Sequence, residues 1–162
     1  FILKFDKILL LNFIYLFWWW ILRIYFAFNI KNEFYELYKD TPSVLYNFLN
    51  QLYHFKRSDL DYGNNLFKQI ALLFDKGELD KKLFIKLHNK MKYSKKGDDH
   101  IINNLYRDEV SIMKIKKSYI VINSNRNSTE FFEFLKEIGG HIFICDFNNH
   151  DYFYASEVKM LV

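Results

Sequence analysis

The chain's 162 residues suit one domain, and with 51% of them apolar and 20% aromatic there is ample material for a core. Its one cysteine, Cys145, excludes an intrachain disulfide and a cysteine-bound metal cluster, and suits a reducing compartment. The net charge of +4 is uneven: Lys81 to Ile120 carries eleven basic side chains against four acidic ones, and the remainder is slightly acidic.

Ile8 to Leu22 is a 15-residue apolar run between Lys7 and Arg23. A spanning helix needs about 20 residues. Asn12 interrupts the run, and no small-residue cleavage site follows it. Residues 1–22 are therefore expected to be a dispensable apolar leader ahead of a single domain at residues 23–162. A membrane anchor is the alternative. Ile24 to Phe28 predicts a strand. Asn29 or Asn32 is placed to cap a short helix over Glu33 to Lys39, on which Phe34 and Tyr38 share a face at i, i+4. Thr41-Pro42 opens a second helix, Thr41 to His54, with threonine as cap and proline in the first turn. Val44, Leu45, Phe48, Leu49 and Leu52 form its core stripe.

Lys56 to Asn64 predicts a polar connection. Leu66 to Phe74 is a third helical segment, closed by Lys76-Gly77. Leu79 to Met91 predicts a fourth, with Leu83, Leu87 and Met91 on one side. Tyr93 to Asp99 predicts a hydrophilic loop, with Asp99 capping a short helix that carries Ile101, Ile102 and Leu105. Val110 to Ile115 and Tyr119 to Ile122 are β-branched strands joined by a tight turn at Lys116-Lys117-Ser118.

The clearest unit follows. Asn127 or Ser128 caps a helix running to Ile138, and Glu130 stands at capping-box spacing from Asn127. Phe131, Leu135 and Ile138 form its stripe. Gly139-Gly140 stops it. His141 to Phe147 predicts a strand whose apolar run, Ile142 to Cys145, requires cover on both faces. Asn148-Asn149 is turn chemistry, and Tyr152 to Tyr154 is a last strand. The expected fold is α+β: one mainly antiparallel sheet with helices packed on it, preceded by the apolar segment.

Candidate chemistry is sparse. Asp98-Asp99-His100 has the residue types for a divalent cation or acid–base work, but a Lys-rich loop fits a solvated turn and helix cap better. No His/Cys pair has metal-ligand spacing. No nucleophile elbow, P-loop or dinucleotide fingerprint is present. No enzyme activity, metal or cofactor is therefore expected. Lys81, Lys82, Lys86, Lys90, Lys92, Lys95 and Lys96 would suit phosphate backbones. Lysine without arginine or interleaved aromatics also describes a solvated helix face. A small basic nucleic-acid-binding domain and a membrane-tethered regulator are the alternatives to a protein-binding role.

Phe131-Phe132-Glu133, Leu135-Lys136, Asp146-Phe147-Asn148 and Tyr152 resemble the end of the SirA family, the sporulation inhibitors of replication of endospore-forming Bacillus relatives. Ile30-Lys31-Asn32-Glu33-Phe34, Tyr38 and Ser43-Val44 are similar to the family's first helix and the start of its next. The likeness runs from Arg23 to Val158 and is weak across Lys56 to Leu105. It implies a small cytoplasmic protein, made at the onset of sporulation, that binds domain I of the replication initiator DnaA and blocks new rounds of replication. It places the partner-binding aromatics of the first helix on Phe34 and Tyr38, and a polar contact of a later helix on Gln69. A proline of the family's last strand region is replaced here by Glu157 or a neighbour. On the residues alone, packing of Phe34 and Tyr38 on the sheet is the favoured reading.

Overall fold

The computed structural model describes residues 22–159. The expected apolar leader, Leu22 apart, lies outside the described residues. The domain is built on one eight-stranded sheet in which every pairing is antiparallel, as the α+β expectation requires. The strands are β1 (Arg23–Ile30), β2 (Ala71–Leu72), β3 (Tyr93–Lys96), β4 (Asp99–Asn104), β5 (Glu109–Ile115), β6 (Ile120–Ser124), β7 (His141–Asp146) and β8 (Asp151–Tyr154). Their order is β3-β4-β5-β6-β1-β7-β8, and β2 adds a short pairing to the end of β1. The helices are α1 (Asn32–Tyr38), α2 (Pro42–Tyr53), α3 (Leu60–Ile70), α4 (Lys76–Leu87) and α5 (Phe131–Glu137).

β1 is central because both of its faces are apolar. Tyr25 and Ala27 enter one core, with Met113, Ile122 and Ile144, beneath α4 and α5. Phe28 and Ile30 enter the other, with Phe143 and Cys145, beneath the layer of α1, α2 and α3. β7 is covered on both faces as expected: Ile142, Phe143, Ile144 and Cys145 are all buried. Gly139 and Gly140, at φ +78° and +74°, supply the left-handed helix stop. A Cβ on Gly140 would also meet Asn29 Oδ1 at 2.9 Å.

Four sequence expectations are corrected. Tyr93–Asp99 is not a loop and Asp99 caps no helix; β3 and β4 form a hairpin turning at Gly97, φ +60°. The strand pattern is concealed because two of the inward positions of β4, His100 and Asn104, are polar and buried beside Ile102. The third helix is Leu60–Ile70: it starts within the stretch expected as a connection and ends four residues before the expected Phe74, and Ala71–Leu72 leave it to pair with Asn29 and Ile30. Gly63 lowers helix propensity there, yet a Cβ at this site would lie 2.7 Å from Phe55 Cδ2. Lys76-Gly77 opens α4 where it was expected to close the preceding helix: Asp75 caps it, accepting from the Glu78 N–H at 3.0 Å.

Finally, α5 starts at Phe131, beyond Asn127 and Ser128. Its cap comes from another element. Glu109 Oε1 accepts from the Glu130 N–H (3.0 Å), the Thr129 hydroxyl (2.7 Å) and the Ser111 hydroxyl (2.8 Å). Asn127 instead accepts from Arg23 at 3.2 Å.

Candidate partner-binding face

α1 has seven residues, too few to persist as a helix alone. Its neighbours hold it. The Lys31 N–H donates to Ile70 O at 2.9 Å, and Lys31 Nζ donates to Lys68 O at 2.8 Å. These two bonds fix the start of α1 against the last turn of α3. Tyr35 lies flat on the His141 ring, centroids 3.7 Å apart and planes within 9°. The same tyrosine meets Tyr154 edge-on at 5.1 Å. His141 Nε2 also hydrogen-bonds Asn32 Oδ1 at 3.0 Å. Burial pushes the Tyr154 hydroxyl beneath this helix up to about 12.

Phe34 and Tyr38 stack offset, centroids 6.5 Å apart at 26°. Both are half-buried, packed on the core below while keeping surface in solvent. Leu37 beside them is 64% exposed. Glu33, Glu36, Lys39 and Asp40 surround the patch with charge. Lys39, hydrogen-bonded to Glu36 at 2.6 Å, draws that carboxyl below its ordinary range. Gln69 is exposed on α3, between the two residues whose carbonyls hold Lys31. The fold thus brings Gln69 to the start of the helix that carries Phe34 and Tyr38, 31 residues after Tyr38 in the chain. Sequence reading missed the supports, Tyr35 and His141. A third aromatic between Phe34 and Tyr38 was the available signal; His141 gave none.

The other candidates disperse. Asp98 pairs with Lys76 at 2.7 Å and Asp99 with Lys114 at 2.9 Å. His100 turns inward, with Nε2 on Asp80 at 2.7 Å and Nδ1 facing the Tyr93 hydroxyl at 2.7 Å. Among the described residues, no group of three His, Cys, Asp or Glu is placed to hold a metal ion. Of the basic run, Lys82, Lys86, Lys92 and Lys95 are tied to Glu78, Glu137, Glu130 and Asp80. That pairing removes much of the charge a phosphate backbone would meet. No helix among the described residues is long and apolar enough to cross a membrane. Glu157 lies in a 3-10 turn, Ala155–Glu157, where its carboxylate receives the Tyr154 N–H at 3.4 Å.

No curated protein matches the chain. The family model described as sporulation inhibitor of replication protein SirA matches residues 23–159, from the first residue of β1 to the end of the described chain. With both motif-bearing ends and the intervening sheet inside that span, the chain belongs to the SirA family of sporulation inhibitors of replication.

Proposed function

We propose that this protein blocks initiation of chromosome replication in sporulating cells by binding domain I of DnaA in the cytoplasm, with α1 as the docking element. Phe34 and Tyr38 supply the aromatic anchor, Leu37 adds exposed apolar surface, and Gln69 adds a polar contact at the edge. Family membership makes the chain a regulatory inhibitor of replication in sporulation. The observation that carries the docking assignment is the half-burial of the stacked Phe34–Tyr38 pair. Rings fixed from below and open above present a rigid apolar surface at small entropic cost, the character of an interface hot spot. No catalytic step enters this reading; inhibition is occupancy of the initiator. Titration of DnaA domain I against the protein and its Phe34→Ala, Tyr38→Ala and Gln69→Ala variants tests the assignment. Loss of affinity in all three folded variants is expected, and undiminished affinity in all three would remove α1 from the interface.

A further inference from the structure

A second feature of the same helical layer lies at the opposite end of α3 from Gln69. α2, α3 and the sheet enclose a cleft of about 280 Å³. Its walls are aromatic. Phe26 lies within 5.3 Å of Tyr53, 5.8 Å of Tyr119 and 5.6 Å of Phe147, ring centroid to centroid. Phe55 and Phe67 line the α3 side, and Gly63 leaves the room that Phe55 occupies. Besides the hydroxyls of Tyr53 and Tyr119, the polar side chains of the lining are Asn64 and Ser118, one from each wall. An apolar cavity of roughly 150 Å³ is enough to bind benzene, so this cleft has space for a larger apolar group. Its rings are already packed in place, so little ordering is left for a ligand to impose.

The charge beside the cleft distinguishes among apolar ligands. Lys56 follows Phe55, and Lys117 precedes Ser118. Both are exposed, and among the described residues neither ammonium has a hydrogen-bond or ion-pair partner. Lys68, on α3, is also exposed. Asp59 and Asp61 are the acidic side chains closest in sequence to the α3 lining, so three lysines stand against two aspartates and the surroundings are net positive by one charge. An aromatic box in neutral surroundings suits a quaternary ammonium; this charge pattern disfavours a cation and favours an anion.

We propose that the cleft is a binding site for a small carboxylic acid with an apolar tail, the tail held between the rings and the carboxylate held at the mouth by Lys56 and Lys117. The inference is independent of the docking role of α1. Isothermal titration of decanoate, decanol and decyltrimethylammonium into the full chain tests it. Decanoate is expected to bind with one-to-one stoichiometry, decanol more weakly, and the cation not at all. Reversing both charges, Lys56→Glu with Lys117→Glu, should weaken decanoate at least about tenfold and leave decanol unchanged. Asn64→Trp, an exposed position lining the cleft, should abolish both. If that variant fails to fold, Ser118→Trp fills the cleft from the other wall. Absence of decanoate binding, its survival in a folded cleft-filling variant, insensitivity to the charge reversal, or tighter binding of the cation would each overturn the proposal.

Discussion

Glu109 shows how much one side chain organises in this domain. It is 1% exposed, and a single carboxylate oxygen receives two hydroxyls and the amide that begins α5. Removing it takes the acceptor from three donors, the buried Thr129 hydroxyl, the part-buried Glu130 N–H and a Ser111 hydroxyl that keeps Ser124 as a partner; a buried donor left unsatisfied costs about 1–3 kcal/mol. Glu109→Ala should therefore destabilise the fold by about 3 kcal/mol and lower Tm by roughly 10 °C, measured by a thermal melt. Thr129→Ala should cost less, because it breaks only its own bond to Glu109 and the 3.3 Å bond from the Phe131 N–H, and leaves Glu109 its other two donors. Asp146 plays a similar part at the β7–β8 turn. Buried, it receives Arg23 Nε at 2.7 Å and the amides of Asn148 and Asn149. Asp146 stands before a turn that was legible in the sequence from Asn148-Asn149. Its bond to Arg23 was not, because 123 residues separate the two.

At the scale of elements, the β3–β4 hairpin is locked to α4 by a polar chain through the buried His100. Tyr93, His100 and Asp80 run in sequence, and Lys95 closes on Asp80 from outside. His100 is fully buried, and burial pushes its imidazole below the ordinary 6.5, against the pull of Asp80. The unfolded chain then binds the proton more readily than the folded one. The stability this supplies is complete above pH 6.5 and is lost as pH falls through the depressed folded value. Asp80 acts in the same direction at lower pH. Burial opposes ionisation there, but the bonds from Lys95 and His100 prevail and hold the carboxyl below 3.8. The Tm of the wild type should fall between pH 7.5 and 5.5, and His100→Phe should flatten that slope; an equal slope in the variant would remove His100 as the cause. This hairpin is also where sequence reading failed. Polar residues on the inward face of β4 erase the alternation that marks a strand, so Ile101-Ile102 reads as part of a helix. The long apolar segments were legible for the converse reason. In β1 and β7 the apolar pattern agrees with the burial; in α2 Leu45 and Leu49 are buried as expected, but Val44 is 47% exposed and Tyr46 takes its place in the core.

At the scale of the whole molecule, the sheet separates two cores and assigns the surface features to one side. α1, α2 and α3 carry both the stacked aromatic face and the aromatic cleft, while α4 and α5 seal the other side. The described fold begins at β1, whose Arg23 and Tyr25 already close onto Asp146, Asp151 and the Asn127 carbonyl. A chain starting at Leu22 should therefore fold with an unchanged melt and retain partner binding. Aggregation of that shortened chain, or membrane partition of the full one, would assign residues 1–21 a structural or anchoring part.

The proposed docking role of α1 is tested most directly at the half-buried Tyr38, in one paired measurement. The affinity for DnaA domain I and the thermal melt are determined for the wild type and for Tyr38→Ala. A ring supported from below but open above should cost binding more than folding. An affinity loss of about thirtyfold is expected, equivalent to the roughly 2 kcal/mol of a hot spot, with the melt lowered by only a few degrees. A folded Tyr38→Ala protein that binds domain I as tightly as the wild type would contradict it.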